Sequence, residues 1–254
     1  TKQFRSADSG AIVNVNKQVI NDALAAHPHP LLFVTISGAH LYGFDSANSD
    51  YDLRGAHITP VRKMIGLAEP NLTHEVMDKS QPIEIDLVTH DIRKFCQLLL
   101  KNNGYVLEQV MSPIILHSTP AFEELKSLAP QTITRHHHHH FRNFAQNQWD
   151  SLAKATPTVK GLLYAFRVVL AGIHLMETHQ VESNLRKLNE SFKLSYVDEL
   201  IARKVGGQEK DEFKGESLAF YESEFHRLMV KLEDAREKSS LPDEPSCRAA
   251  LDDL

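Results

Sequence analysis

The sequence predicts an α+β fold, with a small mixed β-sheet core and flanking helices followed by an all-helical C-terminal half. Two observations predict it. Every run that reads as a strand lies before residue 120: Leu31–Ile36 and residues 50–58, 83–88 and 114–117. Beyond Pro120 only helix-period patterns remain. The expected domains are therefore residues 1–125 and residues 126–254.

Taken in order, residues 11–26 (AIVNVNKQVINDALAA) predict a helix with Ile12, Val15, Val19, Ile20 and Leu24 near one face. His27-Pro28-His29-Pro30 ends it. LLFVTI at 31–36 is short, continuous and apolar, as a buried strand is. One or two helical turns follow over 38–44, then a second strand over 50–58 and a short helix over 60–65. Residues 69–80 read as a variable excursion. IEIDLV at 83–88 alternates apolar and charged residues and is the third strand. Asp91 is an N-cap for IRKFCQLLLK, which Asn102-Asn103-Gly104 closes. A helical piece at 106–111 and a short strand at 114–117 complete this half. Helices are then expected over 122–128, 134–153, 159–178, 194–204 and 209–236, with a loose polar tail after Ser239. No internal repeat is visible.

Composition narrows the class. The chain has 254 residues, 42% hydrophobic and 24% charged, which suits a globular protein. No uninterrupted apolar run reaches the roughly 18–20 residues that span a bilayer, and no basic-plus-apolar signal segment opens the sequence. Cys96 and Cys247 lie far apart in unlike sequence, so no disulfide is expected and the expected setting is reducing and cytoplasmic. Cys96 reads as a small buried residue and Cys247 as an idle thiol in the tail. A net charge of −5 excludes a passive nucleic-acid coat but leaves room for a local contact with a nucleic-acid end.

The chemistry concentrates in LLFVTISGAHLYGFDSANSDYDLRG at 31–55. The first strand ends in Ser37-Gly38, and Asp50-Tyr51-Asp52 follows twelve residues after the glycine. A small-residue turn lets backbone N–H groups approach phosphate oxygens. Carboxylates at i and i+2 on a strand share a face and can hold a divalent cation. Asp86 sits in an otherwise apolar strand, where a charge needs a partner. Asp50, Asp52 and Asp86 are thus the candidate catalytic acids and the candidate ligands of Mg²⁺ or Mn²⁺. Ser37, Gly38 and Arg54 are candidate nucleotide contacts. By itself an S-D-x-D tetrapeptide is common on solvated surfaces; the preceding Ser-Gly turn and the third acid set this one apart.

In the helical half, Lys160, Tyr164 and Arg167 recur at i, i+4 and i+7, one helix face that suits a triphosphate and a base. The bland reading is a solvated face with a half-buried tyrosine. Arg142 and Gln146 are expected to look into the same cleft. Five histidines run from 136 to 140; they sweep around a helix, and with no Cys-x-x-Cys or His-Glu-x-x-His nearby a structural role, with one or two rings at the cleft, is favoured over a zinc site. Phe141, Phe144 and Trp149 read as core.

The pattern S-G-x-x-x-x-G-x(6)-D-x-D, here Ser37-Gly38, Gly43 and Asp50/Asp52, resembles the DNA polymerase β-type nucleotidyltransferase superfamily. More narrowly, the chain resembles its RNA-ligase-associated branch, RlaP. SGAHLYGFDSANSDYDLRG, EIDLVTHDIRKFCQLLLKNNGYVLEQV, HHFRNFAQNQW and KGLLYAFRVVLAG carry that likeness across residues 31–172. His40-Leu41 departs from it, because smaller residues are usual there. The resemblance implies transfer of a nucleoside monophosphate from an NTP to a hydroxyl, with release of pyrophosphate. It matches Asp50, Asp52 and Asp86 to the catalytic acids and suggests an RNA or tRNA end as acceptor. A protein or small-molecule acceptor, a non-catalytic nucleotide- or RNA-binding module, and a metal store built on the histidine run are the alternatives.

Overall fold

The computed structural model describes residues 17–47, 49–78, 84–208, 210–213 and 216–254. The start of the first expected helix, with Ile12 and Val15, and Ile83 of the third expected strand lie outside them. The described part of the first helix, α1, is Lys17–Ala25. β1 (Leu31–Ile36), α2 (Gly38–Tyr42), β2 (Tyr51–His57), α3 (Val61–Met64), β3 (Thr73–Asp78) and β4 (Ile85–Asp91) follow. Next come α4 (Ile92–Leu100), α5 (Gly104–Val110), β5 (Ile115–His117), α6 (Pro120–Leu128), a 3₁₀ turn (Ala129–Thr132), α7 (His137–Lys154) and α8 (Val159–Thr178). α9 (Leu185–Phe192), α10 (Ser195–Val205), α11 (Glu216–Lys238) and α12 (Arg248–Asp252) end the chain.

The strands form one five-stranded sheet in the order β3-β4-β2-β1-β5, in which β2 and β4 run parallel and the other pairs antiparallel. The period-2 pleat sorts the central strands. Tyr51, Leu53, Ile85 and Leu87 pack with Val34 and Ile36 against Ile20 of α1. The alternate positions, Asp52, Arg54 and Asp86, therefore point away from that small core, toward the helices on the other side.

Those helices surround α8. Its composition alone would let it cross a membrane, yet 78% of its most apolar stretch is buried against its neighbours α7, α9, α10 and α11. Phe33 and Leu32 of the sheet, Phe95 and Leu99 of α4 and Val169 and Leu170 of α8 belong to one continuous core.

Three expectations fail here. Residues 69–80 contain strand β3, which has little burial to write an apolar pattern: Glu75, Val76 and Met77 are exposed on the sheet edge. Helix α9 was not expected, because its short amphipathic turn pair follows a polar stretch; its Asn184 cap accepts from the Arg186 and Lys187 N–H groups. The tail is not loose. Leu241, Cys247 and Leu251 are buried, Ser246 N–H donates to the Gln131 carbonyl, and α12 packs on α6. Cys247 is accordingly a packed core residue, as is Cys96, and both are free thiols.

Candidate active site

β1 stops at Ile36, and Ser37 turns the chain. Its N–H donates to the Asp52 carbonyl at 2.8 Å, and its hydroxyl shares a hydrogen bond with the Tyr42 phenol. Ser37 is only 2% exposed, so its side chain braces the turn from inside. Gly38 has φ +61°, and a Cβ on it would lie 1.8 Å from Asp52 Oδ2. The turn can approach the carboxylate this closely only because residue 38 has no side chain. His40, the departure from the superfamily pattern, is occupied in stacking on Tyr51, with ring centroids 4.8 Å apart.

Asp52 and Asp86 are register partners on the parallel strands β2 and β4. Arg54, one pleat beyond Asp52, lies between them. Its Nη2 donates to Asp52 Oδ1 at 3.0 Å and to Asp86 Oδ2 at 2.7 Å. Its Nη1 donates to the Leu53 and Asp86 carbonyls, and its Nε to the Tyr105 hydroxyl on α5 at 2.9 Å. All three donor nitrogens are thus committed, and the guanidinium ties two strands and a helix together. Burial pushes the Asp52 carboxyl above its usual range; Arg54 pulls it back, Asp86 and Asp50 push it up again, and Lys160 opposes them.

Asp50 was expected to share the strand face with Asp52. It precedes β2 by one residue and is exposed, so the pleat does not orient it; it stays within electrostatic reach of Asp52 and Tyr164. Among the described residues no three His, Cys, Asp or Glu side chains are arranged to hold a metal ion by themselves. What the fold assembles is a pair, Asp52 and Asp86, each giving one oxygen to Arg54. Two carboxylates supplemented by substrate phosphates are a usual ligand set for Mg²⁺, so the donor chemistry fits that ion.

A cleft of about 380 Å³ opens at Asp52, lined by Gly38, Asp52, Tyr105, Tyr164, Arg167 and the α7 residues His140, Phe144 and Gln148; Asp86, its register partner on β4, is not part of the lining. The predicted stripe on α8 is brought to it in part. Tyr164 forms a wall, and burial, with Asp52 next, raises its phenol to about 12. Lys160 is exposed, with its charge felt at Asp52. Arg167 lines the cleft but is 1% exposed: its Nη1 donates to Glu108 Oε1 at 2.6 Å, and its guanidinium lies 3.9 Å from the Tyr42 ring centre. Its Nε has no hydrogen-bond partner among the described residues.

Arg142 and Gln146 do not reach the cleft. Arg142 Nε donates to Glu233 of α11 and Gln146 to Asp150, because that side of α7 faces α11 and solvent. The histidine run divides as a helix dictates. His137 is buried, His138 pairs with Glu233 at 2.9 Å, His136 and His139 stack on each other, and His140 faces the cleft. Burial, with Arg167 adding to it, lowers the His140 pKa to about 4. Phe144 is a half-buried cleft wall rather than a core residue. The residues not foreseen are Tyr105, Glu108 and Tyr42. Glu108 carried a signal: an acid inside the apolar GYVLEQV helix needs a buried cation.

The model of the family RlaP, described as the RNA repair pathway DNA polymerase beta family, matches residues 14–254. The uncharacterized protein MJ0002 of Methanocaldococcus jannaschii is 31% identical over 224 residues, 87% of this chain and 90% of that protein. A solved structure of a nucleotidyltransferase-like protein from Exiguobacterium sibiricum 255-15 aligns over 87% of this chain and 73% of its own, at 12% identity and a TM-score of 0.34.

Proposed function

The chain belongs to the RNA repair pathway DNA polymerase beta family, and from that membership we propose that it is a divalent-metal-dependent nucleotidyltransferase. It moves a nucleoside monophosphate from an NTP to a hydroxyl at an RNA or tRNA end and releases pyrophosphate. The observation that carries this reading is the register pairing of Asp52 with Asp86, with Asp52 lining a cleft beside the Gly38 turn.

In this reaction the acceptor oxygen attacks the α-phosphorus, the bond from that phosphorus to the β-phosphate oxygen breaks, and the hydroxyl proton leaves. Mg²⁺ or Mn²⁺ on Asp52 and Asp86, with Asp50 as a further ligand, supplies Lewis acidity and charge neutralisation when bound. Asp86 orients the acceptor hydroxyl and accepts its proton. Gly38 presents backbone to the phosphates with no Cβ in the way. Lys160, exposed at the rim, neutralises the outer phosphates, and Tyr164 with Phe144 gives the base a ring to lie on. Arg167, held by Glu108 and Tyr42, adds a positive charge behind the cleft wall. Arg54 holds both carboxylates in place before substrate arrives, so that no reorganisation is needed at the moment of reaction.

The test is incubation with each labelled NTP and Mg²⁺ or Mn²⁺, in the presence of tRNA, oligoribonucleotides or protein in turn. Label is expected on RNA, and Asp52→Asn and Asp86→Asn are each expected to lower the rate by about 100-fold or more with the fold retained by circular dichroism. Wild-type turnover in either variant would rule out the assignment.

A further inference from the structure

Beside the cleft lies a second cavity, of about 490 Å³, that shares Asn103, His140 and Phe144 with it. We propose that the two form one groove, and that its outer part is the seat of the acceptor strand, a single-stranded RNA end running along α7 toward Asp52. This rests on the reading above and adds to it the single-stranded form of the acceptor and its path.

The groove follows one helix face. His136, His139/His140, Asn143/Phe144 and Asn147/Gln148 recur at three- and four-residue steps, which superimposes them along α7. From Gln148 back to His136 is about 18 Å of helix at about 1.5 Å per residue, the length of about five stacked nucleotides at about 3.4 Å each. The opposite wall is the turn after α4, where Lys101 and Asn102 stand.

Its chemistry suits a polyanion with flat bases. Among the described residues none that lines the outer cavity is acidic, in a chain with 33 Asp and Glu against 28 Lys and Arg. Asp243 touches this face through His136 at 3.6 Å, and Arg135 Nε answers its charge at 2.8 Å. His136 and His139 hold their rings parallel, 10° apart in plane, at the outer end. Phe144 supplies a ring at the inner end. Asn143 and Asn147, both exposed, bring amide donors and acceptors that pair with base edges or sugars. Rings and amides with one cation give stacking and hydrogen bonding more than phosphate counting, which fits a splayed single strand better than a duplex.

The experiment is fluorescence anisotropy of the full chain, without metal, against 5′-labelled single-stranded RNAs of three to eight nucleotides and an eight-base-pair duplex. Affinity is expected to rise with length to about five nucleotides and then level, with the duplex weaker. His136→Ala with His139→Ala is expected to weaken the strand about tenfold or more. Asn143→Asp with Asn147→Asp, placed at exposed positions where folding is untouched, should do the same by charge. Binding of a fluorescent NTP analogue should be unchanged in all of them. Strand binding indifferent to both pairs, or preference for the duplex, overturns the path while leaving an RNA acceptor intact. No strand binding at all, beside normal NTP binding, overturns the strand seat and leaves nucleotidyl transfer to be judged by the labelling assay alone.

Discussion

Gly38 and Asp52 compete for the same space, and their contact is where a single residue decides most. A Cβ on residue 38 would stand 1.8 Å from Asp52 Oδ2, on a backbone already at φ +61°. Gly38→Ala must therefore strain the turn and displace the carboxylate together. The expected cost is about 1–3 kcal/mol of stability, read as a lower urea midpoint, with loss of most nucleotidyl transfer. A variant with wild-type transfer would show that the Asp52 position is not critical. Residue-scale logic also explains Arg54. Its reading as a phosphate or carboxylate contact followed from its place two residues beyond Asp52, but that it binds both acids at once depends on Asp86, 32 residues away in sequence.

At the scale of elements, an ion pair ties α5 to α8 behind the cleft. It joins Glu108 with Arg167, 4% and 2% exposed at the side chain. Burial pushes the Glu108 carboxyl up and Arg167 pulls it back, so neither partner is comfortable alone. Glu108→Ala leaves the guanidinium buried without a counter-charge and is expected to cost about 3–5 kcal/mol. Replacing both, Glu108→Leu with Arg167→Met, should restore much of that stability but not substrate affinity. Thermal unfolding of the two variants checks it, and equal losses in the single and double variants would contradict the pair's role. The sequence stripe Lys160, Tyr164 and Arg167 reaches the cleft lining through its last two members only. It could not say that Arg167 turns inward, because the partner that turns it lies 59 residues away.

Across the whole molecule, histidines make stability depend on pH. Burial lowers the pKa of His57, His90, His137 and His140 to about 4, and lowers those of His27, His29, His138 and His174 as well. The folded pKa values lie below the unfolded value of about 6.5, so between pH 6.5 and 4 the unfolded chain binds more protons than the folded one. Their contribution is then fully present above pH 6.5 and is lost as pH falls toward 4. Around His57 the like groups are His27, His29 and His74, with ring centroids 4.6–6.1 Å apart in the contacting pairs, and Asp91 is the opposing charge. The melting temperature is expected to drop by about 5 °C or more between pH 7 and pH 5; a flat profile would contradict it.

What the sequence determined by itself was local: the Ser-Gly turn, the spaced acids, an α+β half ahead of helices, and the apolar face of each long helix. These follow from side-chain type and from periods of two and 3.6 residues, which any short stretch of chain carries. The edge strand β3, helix α9, the packed tail and the inward turn of Arg167 were decided by tertiary structure. So was the alignment of Asp52 with Asp86, which the parallel register of β2 and β4 creates. Each depends on a partner distant in sequence, and periodicity holds no record of which distant segment will supply it.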